Sequence, residues 1–172
     1  MEKQCCFYCA GHRHHSRRDE MMEFLCYVNA GGHKLPLYTS KIRLGYCVLA
    51  WHNHGVQIHK EQYFFSLFTE ACRVVAVAIG GVGWFDHVNF GIYADGPIPE
   101  NGVYDGHTHA NLCAKRETDP DWGKPFVVPQ LTDEPNASAE EFKAFREKFW
   151  EELRCFICAQ TPEEAFPGSG SS

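Results

Sequence analysis

Two histidines and an asparagine alternate in the stretch HTHAN: His107, His109 and Asn111. In a strand, alternate side chains share a face, so these three would point one way and Thr108, Ala110 and Leu112 the other. An imidazole in such a place can attack phosphorus and hold a covalent phosphoramidate. The preceding loop, ADGPIPENGVYDG, is rich in glycine, and backbone N–H groups there suit an anion. A polar strand face with solvated histidines has the same pattern, so the triplet alone leaves both readings open.

The second source of chemistry is cysteine. The chain has nine, an odd number, in 172 residues. Thiols with metal ligation fit that count better than a disulfide framework. Two pairs have C-x-x-C spacing, Cys6 with Cys9 in CFYC and Cys155 with Cys158 in CFIC. That spacing lets both thiolates of a pair reach one zinc ion. The two pairs together would make an all-cysteine site joining the two ends of the chain. Alternatively, CFIC is the buried end of a helix. Cys5, Cys26, Cys47, Cys72 and Cys113 lie in apolar contexts and read as small core residues. The run HRHHSRR reads as a solvated loop. In RETDPDWG, the proline between Asp119 and Asp121 favours a turn over a paired-carboxylate site. Lys115 and Arg116 are candidate neighbours of a phosphate.

The elements that must position these groups are legible in outline. Residues 21–28 are apolar and read as a strand or short helix, and NAGGHKLP as a loop. Residues 41–51 read as a strand, with Gly45 a bend. Residues 60–79 show the three- and four-residue spacing of an amphipathic helix, with Tyr63, Phe64, Leu67, Phe68, Ala71, Val74, Val75 and Ala78 as its stripe, stopped by GGVG. Residues 84–93 and HTHANLCAK read as strands, and 117–137 as loop. A last helix starts at Ser138, whose capping-box partner is Glu141, and carries a stripe of Phe142, Phe145, Phe149, Trp150 and Leu153. The expectation is one α+β domain over residues 1–160 with a largely antiparallel sheet, followed by a disordered tail over 161–172.

Hydrophobic residues at 44% and charged residues at 22% are ordinary for a globular chain of this length. The net charge of −6 argues against a general nucleic-acid surface. No run reaches the roughly 20 apolar residues of a membrane span, and the N-terminus lacks a signal-peptide core, so a cytoplasmic location is expected.

In order, CFYC, LGYCVLAWHNH, the amphipathic helix, NFGIYADGP and HTHANLCAKRETDPDWG resemble the histidine triad (HIT) superfamily over roughly residues 6–155. The resemblance implies an HIT-like antiparallel sheet with a central amphipathic helix and a C-terminal helix. It implies a nucleotide-phosphate hydrolase or nucleotidyltransferase, with His109 as nucleophile on the phosphate of a nucleotide or nucleotide conjugate. His107 would orient His109 or ligate a metal. Asn89, Asp95, Gly102 and Gly106 would lie near the nucleotide. Structural zinc would sit on Cys6, Cys9, His54 and His107, with His52 an alternative to His54. Members of the superfamily often form dimers, which extends the expectation to a homodimer.

Four positions depart from the family pattern: Asn111 for the third histidine, Tyr46 for histidine, Trp51 for proline and Ala94 for an amide. Asparagine does not donate a proton near neutral pH. These departures support a rival reading, a zinc-stabilised binding module without chemistry. A zinc-ribbon-like interaction domain built on the two cysteine pairs is a third.

Overall fold

The structure is a computed structural model that describes residues 21–51, 60–95, 107–124, 129 and 133–156. Among the described residues, five strands and two helices follow one another as β1 (Met22–Ala30), β2 (His33–Ser40), β3 (Tyr46–Ala50), α1 (Gln62–Gly81), β4 (His87–Asp95), β5 (His107–Lys115) and α2 (Ala139–Phe156). The strands form one antiparallel sheet in the order β1-β2-β3-β5-β4. The α+β class and its helices agree with the sequence reading; one strand was not foreseen.

That strand is β2, in the stretch read as a loop. Gly31 and Gly32 both have positive φ, 59° and 89°, which matches the twist of a two-residue hairpin. Ala30 then pairs with His33 directly across the turn. The Asn29 side chain accepts the Gly32 N–H at 3.0 Å. Pro36 is tolerated because the pairing of β2 with β3 covers only Leu37 to Thr39.

The strand expected over 41–51 is shorter than predicted. Ser40 Oγ accepts the N–H groups of Ile42 and Arg43, both at 3.0 Å, and turns the chain. Asn136 Oδ1 takes the Leu44 N–H at 2.7 Å. Gly45 has φ 77°, and β3 begins only after it. The strand expected over 84–93 is likewise displaced, to His87–Asp95.

One face of the sheet carries Cys26, Val28, Leu35, Leu37, Cys47, Leu49, Ala110 and Leu112, and it forms a single core with both helices. From α1 come Phe68, Ala71, Cys72, Val75, Ala78 and Ile79. Its length and composition would suit a membrane span, but these residues seat it on the sheet. Tyr63, expected in the apolar stripe, is 64% exposed, because in the first turn Phe64 takes the inward place against Trp51. From α2 come Phe142, Phe145, Phe149 and Leu153, as the spacing predicts. The capping box forms as expected: Glu141 N–H donates to Ser138 Oγ at 3.2 Å, and Ser138 N–H to Glu141 Oε2 at 2.8 Å.

Both helices occupy one face, so the opposite face belongs to the alternate residues. It holds Met22, Tyr38, Tyr46, Val48 and Cys113 as a second apolar cluster. His107, His109 and Asn111 share this face with Cys113, by the period of two along β5.

Candidate functional site

The site is built on the two pairings of β5, with β3 on one side and the edge strand β4 on the other. Val48 and Ala50 of β3 lie opposite Asn111 and His109. On the other side of β5, Gly91, Tyr93 and Asp95 of β4 lie opposite Asn111, His109 and His107. His107, His109 and Asn111 are all buried, at 3%, 2% and 4% exposure. A solvated polar face is therefore excluded, and each buried polar group needs a partner.

The partners fix the rings. His107 Nε2 hydrogen-bonds the backbone carbonyl of Trp51, just past the end of β3. Trp51 N–H in turn donates to the Thr108 carbonyl at 2.8 Å, so the β3–β5 ladder holds that carbonyl in place. A carbonyl only accepts, so His107 carries its proton on Nε2. His109 Nδ1 lies 3.3 Å from the carbonyl of His107. By the same rule Nδ1 is the donor in this contact, and in the neutral ring Nε2 then carries the lone pair. A ring nitrogen in that state is a nucleophile.

Two aromatic residues complete the site, and neither was singled out for this role by the sequence. Tyr93 stacks on the His109 ring, with centroids 5.8 Å apart and planes at 25°. Gly91 makes room for it, since a Cβ at that position would lie 2.9 Å from the Tyr93 hydroxyl. Tyr46 O–H donates to Asn111 Oδ1 at 3.0 Å in a buried bond. Tyr46 is diagonal to Asn111 across β3 and β5, a separation that a long aromatic side chain spans.

Several solved structures that share this architecture are histidine triad proteins. One from Bradyrhizobium japonicum aligns with a TM-score of 0.57 at 19% identity, covering 81% of this chain and 96% of its own. One from Sinorhizobium meliloti 1021 aligns with a TM-score of 0.55 at 19% identity, covering 79% and 93%. A hypothetical histidine triad nucleotide-binding protein from Sulfolobus tokodaii strain7 aligns with a TM-score of 0.50 at 14% identity, covering 81% and 89%. The chain has the histidine triad fold. No protein-family model and no curated protein matches the sequence.

Within the histidine triad fold, the residues named from sequence fall into three groups. His107, His109 and Asn111 come together on one buried face, as their alternation predicts. Asp95 is paired with His107 through its backbone. Asn89 is not brought to the histidines. It pairs with Cys113, four residues along β5 from His109, a separation of about 13 Å at strand rise. Its Oδ1 is 2.9 Å from His87 Nε2, and it lines an open cleft with Asp86, His87, Glu117, Trp122 and Lys124. Gly102, Gly106, Cys6, Cys9 and His54 lie outside the described residues, as do His52 and Cys158. No group of three or more potential metal ligands occurs among the described residues.

Lys115 and Arg116 are not beside the histidines. Lys115 is on the same face but six residues from His109, about 20 Å along the strand. It is buried, and its ammonium donates to the carbonyls of Asp121 and Lys124 at 2.9 and 3.0 Å. Arg116 donates to the Trp84 carbonyl at 3.1 Å and lies over the Phe85 ring. Asp119 and Asp121 separate as the turn reading predicts. Asp119 accepts the Arg116 N–H, and Asp121 takes Arg43 in a two-pronged bond at 2.9 Å.

Proposed function

We propose that the chain is a nucleotide-phosphate hydrolase or nucleotidyltransferase that works through a covalent nucleotidyl-histidine on His109. The observation that carries this reading is the His109 Nδ1 contact with the His107 carbonyl, which leaves Nε2 as the attacking atom. On attack the ring becomes cationic, and the same carbonyl stabilises its Nδ1–H. Tyr93 limits the ring's rotation, so the nucleophile is held before the substrate arrives. The ligand is a nucleotide or nucleotide conjugate. Asp95, Gly102 and Gly106 would lie nearest its phosphates; Asn89 keeps the more distant position given above. A homodimer belongs to the same reading.

Structural zinc on Cys6, Cys9, His54 and His107 is part of the proposal. His107 is the member of that set among the described residues, and its chemistry fits. With Nε2–H on the Trp51 carbonyl, Nδ1 is the donor atom for a metal, the usual arrangement of a ligating histidine whose other nitrogen is bonded to a carbonyl. The ion would tie the cysteine pair to the strand that carries His109.

The test is covalent capture. The protein is mixed with a nucleoside diphosphate conjugate, quenched in base and mapped by mass spectrometry. A nucleotidyl group on His109, lost in His109→Ala, is expected. Turnover unchanged in His109→Ala would sink the proposal. Metal analysis accompanies it: one zinc per chain, lost in His107→Ala and kept in Cys158→Ala, is expected. The rival reading, a binding module without chemistry, is favoured by Asn111, which offers no acid. Nucleotide binding with neither adduct nor turnover would establish it.

A further inference from the structure

Tyr46 and Asn111 act as one unit. Asn111 is 4% exposed and Tyr46 3% exposed, and their hydrogen bond at 3.0 Å lies in the second face of the sheet. A buried amide free to rotate would present oxygen or nitrogen to a ligand. The Tyr46 hydroxyl removes that choice by donating to Oδ1, which makes Nδ2, with its two N–H groups, the end available to a ligand. Asn111 is two residues along the strand from His109 and on the same face, so those N–H groups belong to the His109 site.

We propose, resting on the reading just given, that Tyr46 is a positioning residue that fixes Asn111 as a hydrogen-bond donor to phosphate oxygen. The pair then selects substrates whose leaving group departs without a proton: phosphoanhydrides rather than phosphoramidates. An amide N–H stabilises negative charge on oxygen but transfers no proton near neutral pH. An amine leaving from phosphorus must be protonated as it departs, whereas a phosphate leaves as a stable anion.

The steps balance in this form. His109 Nε2 gives its lone pair to phosphorus as the P–O bond breaks. That bond's electron pair leaves on the oxygen of the departing phosphate, with no proton added. Water or an acceptor hydroxyl then attacks phosphorus and the N–P bond breaks. Its electron pair returns to Nε2, and the attacking group's proton passes to solvent.

The experiment uses the full chain and adenosine and uridine 5′-monophosphate aryl esters whose phenols differ in acidity. Adenosine 5′-phosphoramidate and a dinucleoside polyphosphate are run beside them. Without an acid, the wild-type rate should fall by about a hundredfold or more from the 4-nitrophenyl to the phenyl ester, the size of a missing general-acid contribution. Asn111→His supplies a titratable group and should flatten that dependence. Tyr46→Phe keeps the ring and removes one oxygen. It should slow the single-turnover reaction by about tenfold, the loss of one positioned hydrogen bond, while the dependence on phenol acidity stays steep. A flat wild-type dependence, or a phosphoramidate turned over as fast as the anhydride, overturns this inference and leaves the His109 chemistry standing. An unchanged rate in Tyr46→Phe overturns the positioning role. No turnover of any member, with no adduct on His109, overturns the proposed function and this inference with it.

Discussion

The ammonium of Lys115, buried at the end of β5, lies 3.0 Å from Oδ2 of Asp121. Arg43 binds both oxygens of the same carboxylate at 2.9 Å. One carboxylate thus joins the turn before β3, the end of β5 and the loop that follows. Removing one member of a buried pair strands the other charge. Asp121→Ala should therefore destabilise the fold by about 2–4 kcal/mol, somewhat below the range for a fully buried pair because Asp121 is 24% exposed. Urea unfolding of the two proteins at neutral pH measures it.

The same group makes stability depend on acid. Burial works to raise the Asp121 carboxyl, but hydrogen bonds from Arg43 and Lys115 outweigh it and hold the group below its ordinary 3.8. A carboxyl held low in the folded chain stabilises fully above the unfolded value and loses that contribution as pH falls through the folded one. The stability gap between wild type and Asp121→Asn should be constant from neutral pH down to about pH 5 and shrink below about pH 3.8. A gap that persists at about pH 2 would show that the carboxylate charge is not its source.

Gly45 marks where β3 can begin. Its φ of 77° is strained for any other residue, and a Cβ there would lie 2.6 Å from Phe85 Cζ and 2.9 Å from the Ala114 Cβ. Backbone strain and overpacking each cost about 1–3 kcal/mol. Gly45→Ala should lower stability by at least about 2 kcal/mol, read as a lower urea midpoint with an unchanged slope.

What the sequence disclosed divides along local and non-local physics. HTHANLCAK reads residue for residue as β5, because strand alternation is local. Ser138 and Glu141 announce α2, because a capping box is three residues long. The β1–β2 hairpin is local too, but Gly31 and Gly32 carry the pattern of a loop and hide β2. Tyr46 and Tyr93 were not legible as parts of the site. Their places follow from the registers of β3 and β4 against β5, and residues 51–86 separate β3 from β4 along the chain. The same register moves Asn89 four residues along the strand from His109. Tyr46 and Asn111 were visible as two separate departures from the family pattern; only the fold shows that they are bonded to each other.

Four thiols fall in the core as their apolar contexts predict. Cys26 and Cys72 are pushed up to about 12 by burial. Burial also raises Cys47, and it raises Cys113 against the opposing charges of Arg43 and Lys115. Thiolate is the reacting form, so these four should resist iodoacetamide at about pH 8 in the native protein and label fully in urea. Rapid native labelling of Cys113 would show that the face carrying the histidines opens.

Tyr93 should matter to His109 through its ring and not through its hydroxyl. The two side chains are directly opposite across β4 and β5, and their rings stack at 5.8 Å. The Nδ1 contact with the His107 carbonyl is long, at 3.3 Å, and the stacked ring limits rotation about it. Tyr93→Ala should cut the rate of His109 nucleotidylation by about tenfold, since a nucleophile that samples more orientations spends less time aligned with phosphorus. Tyr93→Phe should keep the wild-type rate. Gly91→Ala gives an independent check, because its Cβ would displace the Tyr93 ring without altering either residue of the pair. It should resemble Tyr93→Ala in single-turnover rate. If Tyr93→Phe falls as far as Tyr93→Ala, the hydroxyl is the active part and the stacking account is wrong.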